Sequence, residues 1–382
     1  MPWQEKDTMS LRREFVELAQ QEGANIRALC RHFGISPKSG YKWLQRCAES
    51  VGSRVLTDRS RRPHTSPGRT ATEIEAAIVA LRQAHPAWGG RKIARRLLDL
   101  EAIHLAPSTV TSILHRHGLI RPEDSEAAKP WQRFEHEAPN ALWQMDFKGH
   151  FPTPTGKCHT LSVLDDHSRF NLALGACART DTTQVRLHLE QVFRRYGLPV
   201  RINADNGAPW GSPSLAERGL SALSVWLIRQ GIHVSHSTPY HPQTNGKVER
   251  FHRSLEIEVL AGRAFADLPA AQRALDAWRT VYNCERPHEA LDLRTPIQCY
   301  RPSPMPYREQ LPPIEYPATD IVMTVGWNGF IRFQGRRLRL STALHRLPVA
   351  LRPDPDRDGC FDVYFCHQRF MRLDMNQLQE KT

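Results

Sequence analysis

The chain has 382 residues, with 52 Lys+Arg against 40 Asp+Glu and a net charge of +12. That length predicts two or three domains, and 40% hydrophobic with 24% charged residues is a globular composition, which excludes wholesale disorder. No apolar run approaches the ~18–20 residues that cross a bilayer, and the opening stretch Met1-Pro2-Trp3-Gln4 lacks a secretory h-region; neither a membrane protein nor a secreted one is expected.

Only nine of the 52 basic residues are Lys. Arg forks onto phosphate bidentately, which suits a polyanionic partner, although a GC-rich genome also enriches Arg. The eight Cys form no C-x-x-C pair, so zinc knuckles are not expected and reduced cytoplasmic thiols are.

In chain order, residues 10–48 read as three short helices. Leu11, Phe15, Leu18 and Ala19 recur at helical spacing, and Ile26, Leu29, Cys30 and Phe33 form a second stripe that Gly34 stops. Ser36-Pro37 supplies an N-cap and a Pro at N1 for a third helix with Tyr41, Lys42, Trp43 and Arg46. Helix, short turn and a basic, aromatic helix is a helix-turn-helix arrangement; a generic three-helix bundle is the plain alternative. Residues 53–69, with five Arg, cannot bury a core and suit either phosphate tracking, through Arg61 and Arg62, or a solvated tether. Residues 72–119 repeat the helical theme. Ile74, Ala77, Ile78 and Leu81 make one stripe, Gly90-Arg91-Lys92 opens a helix, and Pro107-Ser108-Thr109 caps another. Two such modules suit a DNA site longer than one covers.

From residue 140 the period changes. Strand-like runs at 142–147, 160–165 and 170–175 precede a helix at 182–196, a strand at 200–205, a helix at 220–230, a strand at 233–236, and helices at 246–260 and 270–282. Such alternation indicates an α/β core. Pro302–Pro317 holds six Pro and reads as a stiff spacer. About six short strands over 318–375 predict a small barrel. There Arg332, Arg336, Arg337 and Arg339 cluster, with Arg337 and Arg339 alternating with Leu338 and Leu340, so that one face is either a solvated basic face or a DNA contact.

Three acids stand at informative places. Asp146 interrupts an apolar strand, where an unpaired buried carboxylate would cost several kcal/mol. Asp205 ends a strand ahead of an Asn206-Gly207 turn, and Glu249 lies one turn into a helix opened by Thr244-Asn245-Gly246. Carboxylates from two strands and a helix can share two Mg²⁺ ions around a scissile phosphate, although each alone is also ordinary turn chemistry.

Trp-Gln-Met-Asp146-Phe, Ala-Asp205-Asn-Gly and His-Pro-Gln-Thr-Asn-Gly-Lys-Val-Glu249-Arg-Phe-His together resemble the three motifs of the DDE recombinases, and more narrowly those of bacterial insertion-sequence transposases with a retroviral-integrase-like core. Tyr282-Asn283-x-Glu285-Arg286-Pro287-His288, Thr295-Pro296 and the domain order are similar to that family too. The resemblance covers nearly the whole chain. It implies a multidomain α/β protein: a helix-turn-helix domain over 1–52, a basic linker over 53–69, a second helix-turn-helix domain over 70–120, a linker over 121–138, an RNase H-like core over 139–300, a spacer over 301–317 and an SH3-like β-barrel over 318–376. It also implies catalytic and metal-holding roles for Asp146, Asp205 and Glu249, two Mg²⁺ or Mn²⁺ ions per site, and cutting and joining of element DNA ends. Asp205 and Glu249 are about ten positions further apart than that pattern has; the Pro/Gly/Ser-rich stretch Ala208–Gly219 takes up the excess at little cost. Glu217, inside it, is a poor rival for the third acid.

Around these acids, Asp165-Asp166-His167-Ser168-Arg169 reads foremost as a turn, and His236 as a packing or capping residue. Asn206 would orient Asp205 or contact phosphate. His241, Gln243, Asn245 and Lys247 suit contacts to DNA, and so do Arg250 and Arg253, although Arg253 stands i+4 from Glu249 and could instead pair with it. In the two modules the expected DNA contacts are Lys38, Lys42 and Arg46, then Arg91, Lys92, Ser108 and Thr109. The reading is a cytoplasmic, nucleoid-associated transposase that binds terminal inverted repeats in double-stranded DNA, acts on target DNA as a dimer or higher assembly, and needs no membrane. The alternatives are a catalytically inactive DNA-binding derivative and another RNase H-like nuclease.

Overall fold

The computed structural model describes residues 7–49, 56–58, 68–120, 136–205, 207, 209–210, 220–236 and 246–377. The chain divides into two compact units, Met1–Thr70 and Ala71–Thr382.

The first unit holds α1 (Thr8–Ala19), α2 (Ile26–His32) and α3 (Pro37–Glu49). The Asn25 side chain accepts from Ala28 N at the start of α2, and Ser36 Oγ accepts from Ser39 N at the start of α3, as the Ser-Pro signal predicts. Phe15, Val16, Cys30, Trp43 and Leu56 form its core. Gly40 is buried where α3 crosses α1 and α2: a Cβ there would stand 2.5 Å from Cys30 Sγ and 2.8 Å from the Phe15 ring.

The second unit opens with α4 (Thr72–Ala84), α5 (Gly90–Glu101) and α6 (Pro107–Arg116), packed on Ile78, Trp88, Ile93, Leu97, Val110, Ile113 and Leu114. Both helical triplets therefore lie where their apolar stripes place them. A five-stranded mixed sheet follows, in the order β3-β2-β1-β4-β5: β1 (Leu142–Thr153), β2 (Gly156–Asp165), β3 (Asn171–Cys177), β4 (Arg201–Ala204) and β5 (His233–His236). β1, β2 and β3 pair antiparallel. β4 and β5 run parallel to β1, because α7 (Thr182–Tyr196) and α8 (Ala222–Arg229) supply the crossovers that parallel neighbours require.

The two-residue period of the strands sorts the sheet's faces. Trp143, Met145, Leu161, Val163 and Ile202 share one apolar cluster with α7 and α8. Cys158, Leu164 and Leu174 share another with α9 (Gly246–Leu255), the π-helical turn Glu256–Leu260 and α10 (Leu268–Cys284). Both outer strands are closed by side chains. Along β3, Gln272 takes Leu174 O and Ala176 N, Arg279 takes the carbonyls of Asn171 and Leu172, and Asn283 takes Asn171 N and O. These three residues lie on one face of α10, which thus stands in for a sixth strand and blunts an aggregation-prone edge. On β5, Gln368 bonds both Val234 N and Val234 O at 2.8 Å.

After α11 (Pro296–Cys299), residues 301–320 contain neither helix nor strand. This proline-rich stretch is laid along the core: Tyr307, Leu311 and Ile314 pack into the apolar cluster, and the side chains of Arg229 and Gln230 bond the carbonyls of Pro312 and Arg308. The C-terminal strands form two antiparallel sheets, one of four strands in the order β11-β10-β9-β6 and the hairpin of β7 (Phe330–Phe333) and β8 (Arg336–Arg339). β6 is Ile321–Thr324, β9 Pro348–Pro353, β10 Cys360–Phe365 and β11 Gln368–Asp374. The sheets share one apolar core through Ile331, Phe333, Leu338, Phe361 and Val363. The expectation of a small barrel meets an antiparallel β region whose backbone pairing falls into two separate sheets among the described residues. No helix among the described residues is long and apolar enough to cross a membrane.

Candidate active site

Asp146 lies in β1 and pairs in register with Ser162 of β2. Met145, just before it, pairs with Ala204 of β4, and Asp205 follows Ala204. The two carboxylates thus hold equivalent positions in adjacent parallel strands. Met145 and Ala204 both belong to the cluster beneath α7 and α8, so strand alternation turns Asp146 and Ser162, and Asp205 just past the end of β4, toward the face covered by α9. α9 carries Glu249 in its first turn and His252 one turn later, over buried Val248, Phe251 and Leu255.

The Asp146 carboxyl is pushed up to about 6, first by burial, then by the neighbouring charges of Asp205 and Glu249, against a lowering hydrogen bond from the Phe147 backbone. Asp146 therefore senses both other acids. Even so, no three His, Cys, Asp or Glu side chains among the described residues stand close enough to hold a metal ion as they are. Hard, anionic oxygen donors whose mutual repulsion a divalent cation would relieve are the donor set that Mg²⁺ takes. His252 is buried; its Nε2 lies 3.0 Å from Ser162 Oγ and its Nδ1 3.8 Å from Asp146 Oδ2. Burial and Lys148 bring it down to about 4, so the ring is neutral at pH 7.

The Asp165–Arg169 segment is a turn, as its composition suggests. Asp165 accepts from Ser168 N and Asn140 N, and Arg169 adopts φ 61°. Asp166 is buried and takes Gln144 Nε2, His136 N and Lys247 Nζ, the last at 2.6 Å. Lys247, expected to meet DNA, thus fastens the start of α9 to the β2–β3 turn and fixes where Glu249 sits. His236 is placed as a capping residue, its Nδ1 3.1 Å from Asp205 O. Trp210, in the stretch expected to be a surface loop, is buried with its ring 5.4 Å from that of Phe147, beside Asp146.

The remaining expected contacts are dispersed. Lys38 is exposed in the first turn of α3, whereas Lys42 and Arg46 lie over the Trp43 ring at 4.4 and 4.8 Å. Ser108 is exposed and Thr109 half-buried in the first turn of α6. Arg91 is exposed, 3.9 Å from Glu289, and Lys92 is half-buried and held down at about 8 by burial and by Arg286. Arg250 and Arg253 are exposed, and no ion pair joins Arg253 to Glu249 among the described residues. Arg337 is exposed with its guanidinium 4.0 Å from the Phe330 ring centroid, and Arg336 is half-buried, donating to Met375 O. Arg61, Arg62, Asn206, Glu217, His241, Gln243 and Asn245 lie outside the described residues.

Sequence reasoning missed a buried support. Glu258, in the π-helical turn, accepts from Trp278 Nε1 and Arg286, and Arg286 also reaches Ser254 Oγ. Glu285 takes Arg96 of α5 at 2.7 Å, Asn283 closes β3, and the buried His288 ring packs edge-on against Tyr282 at 4.9 Å. The Tyr282–His288 motif is therefore architectural, tying the π-helical turn after α9 to the second helical module and the sheet edge. Its Glu-Arg pair was the available signal, but the sequence does not name the partners.

Comparison with known proteins agrees with this layout. Two family profiles described as integrase core domain match residues 136–242 and 230–296. A helix-turn-helix domain matches 11–64, a homeodomain-like domain 39–114, and the C-terminal domain of IS481 family transposases 320–381. The uncharacterized 31.7 kDa protein of insertion element IS407 from Burkholderia multivorans is 24% identical over 229 residues, 59% of this chain and 79% of its own length. The uncharacterized 39.2 kDa protein of insertion element IS476 from Xanthomonas euvesicatoria is 25% identical over 61% of this chain and 66% of its own. The Pro-Pol polyprotein of simian foamy virus type 3 is 28% identical over 47% of this chain but only 15% of the polyprotein. In sections from residue 11 to 381, the chain is similar to bacterial insertion-sequence transposases with an integrase-like core.

Proposed function

We propose that this chain is a DNA transposase that binds the terminal inverted repeats of an insertion sequence and carries out metal-dependent strand cleavage and strand transfer. The observation that carries the reading is the placement of Asp146 in β1 level with Asp205, which directly follows β4, beneath the helix that bears Glu249, within the two stretches that match the integrase core. Asp146, Asp205 and Glu249 would hold two Mg²⁺ or Mn²⁺ ions. When bound, such ions supply Lewis acidity at both the attacking and the leaving oxygen of an in-line displacement.

The chain's own residues do the rest. β1 and β4 fix two carboxylates at one sheet end, and the Lys247–Asp166 pair fixes the third by anchoring α9. Lys38, Lys42 and Arg46, with Ser108 and Thr109 and the linker residues Arg61 and Arg62, read and grip the element end. Gln243, Asn245, Arg250 and Arg253 guide the strand toward the acids, and Arg91 and Lys92 hold phosphate near the core. The C-terminal region, an SH3-like barrel in this reading, adds Arg336 and Arg337 as sequence-independent contacts. Two element ends and one site per chain call for a dimer or higher assembly on double-stranded DNA, in the cytoplasm at the nucleoid.

Incubation with labelled element ends and Mg²⁺ tests this. Nicking and joining that Asp205→Asn abolishes, with end binding retained, is the expected result; cleavage of hybrids or junctions regardless of sequence would replace the reading with that of another nuclease. A second reading, an inactive DNA-binding derivative, draws on the lack of a ready three-ligand cluster among the described residues. Tight end binding without any cleavage in Mg²⁺ or Mn²⁺ would favour it.

A further inference from the structure

We propose that His252 is a positioning residue for Asp146, its ring anchored by the buried hydroxyl of Ser162. The inference rests on the proposed role of Asp146 in holding a divalent cation, and deepens it.

Three polar side chains meet on the sheet face that α9 covers. Asp146 and Ser162 are direct cross-strand partners, so their side chains leave the same face. His252 comes down from α9 between them, with Nε2 3.0 Å from Ser162 Oγ and Nδ1 3.8 Å from Asp146 Oδ2. Ser162 is fully buried at 0% exposure, which rules it out as a nucleophile toward a DNA strand. Its hydroxyl instead serves the ring.

A neutral imidazole has one N–H, and two arrangements are available. If Ser162 O–H donates to Nε2, the ring proton sits on Nδ1 and points toward the Asp146 carboxylate. If Nε2–H donates to Ser162, the Nδ1 lone pair faces an anion. A carboxylate that holds a cation is anionic, and electrostatics then select the first. At 3.8 Å the contact is not yet a hydrogen bond, but such contacts are commonly long before the reactants assemble. The ring so oriented fixes the direction in which Asp146 presents its other oxygen to a cation. This is the part outer hydrogen-bond partners play in metal sites, where their loss costs roughly 10–100-fold in metal affinity or activity. Placement on α9 one turn after Glu249 also makes His252 a rigid spacer between the first and third acids.

The test uses the full-length protein, with Mn²⁺ binding followed by the resonance of the free ion and single-turnover nicking of a labelled element end. His252→Leu keeps the bulk but no donor; it is expected to weaken Mn²⁺ binding and slow nicking about 10–100-fold while end binding stays unchanged. His252→Asn places an N–H near the position of Nδ1 and is expected to recover most of that loss, whereas His252→Gln, whose amide reaches the Ser162 side, is not. Ser162→Ala leaves the ring but removes its anchor, and is expected to raise the Mn²⁺ requirement without changing end affinity; it carries the test if His252→Leu does not fold. Leu and Ser162→Ala variants that both bind Mn²⁺ and nick like the parent, or an Asn variant no better than Leu, would overturn the inference and leave the proposed transposase intact. A parent protein that neither binds Mn²⁺ nor nicks would remove both.

Discussion

Asp146 is a carboxylate held where burial and two neighbouring acids oppose its charge. Its carboxyl is pushed up from 3.8 to about 6, chiefly by burial and then by Asp205 and Glu249. The unfolded chain releases that proton near the ordinary value, so between pH 4 and 6 the folded state binds more protons than the unfolded one. Without a cation, stability therefore falls as pH rises through this window and stays lower above it. Asp146→Asn removes the conflict. It is expected to end nicking yet to stabilise the metal-free protein at pH 7 by on the order of 2 kcal/mol, a gain that disappears below pH 4. Thermal unfolding at the two pH values, without divalent ions, checks the sign. Tight backbones matter at the same scale. At Gly90 an added Cβ would meet Thr111 Oγ1 and the Pro107 carbonyl at the crossing of α5 and α6. Gly90→Val is expected to cost at least about 1–3 kcal/mol through overpacking, read as loss of the second module's protection in hydrogen exchange.

Among the elements, α10 does the most unusual work. An amphipathic helix would be expected only to bury Ala271, Leu275, Trp278 and Tyr282. It also spends Gln272, Arg279 and Asn283 on the backbone of β3. Gln272→Leu leaves Leu174 O and Ala176 N without their partners, which costs about 1–3 kcal/mol for buried groups. It also reopens a strand edge, so the expected outcome is a lower melting temperature together with concentration-dependent self-association in light scattering. α9 shows the same economy: one face packs on Leu164 and Leu174, while its start is held by the Lys247–Asp166 pair and its end by Lys148 and Glu256.

At the scale of the whole second unit, the C-terminal sheets are docked on the core and not merely tethered to it. Gln368 completes the hydrogen bonding of Val234, Ser341 Oγ donates to Leu220 O, and Val325, Leu344 and Val349 belong to the same apolar cluster as Trp226 and Ile228. β5 leads from that contact to His236 beside Asp205, so docking and site share one strand. Gln368→Leu keeps the bulk but leaves both Val234 groups unpaired. It is expected to lower stability by about 1–3 kcal/mol and to admit proteolysis within residues 301–320, measured by limited digestion of the parent and the variant side by side.

Residue spacing alone determined the two helical triplets and the strand and helix order from 142 to 284, because helical and strand periods are local properties of the chain; it marked the three acids as candidates, and their joint role came from the resemblance. The resemblance to integrase-core transposases was likewise carried by short motifs. Tertiary structure alone decided which side chains serve the site and which serve the frame. Lys247 reads as a DNA contact in sequence, yet its Nζ lies 2.6 Å from Asp166 Oδ2, 81 positions away. His252 and Ser162, unremarkable in sequence, meet over Asp146 across 90 positions. Such pairings follow from strand register and from where a helix lands on a sheet, and no local pattern encodes either.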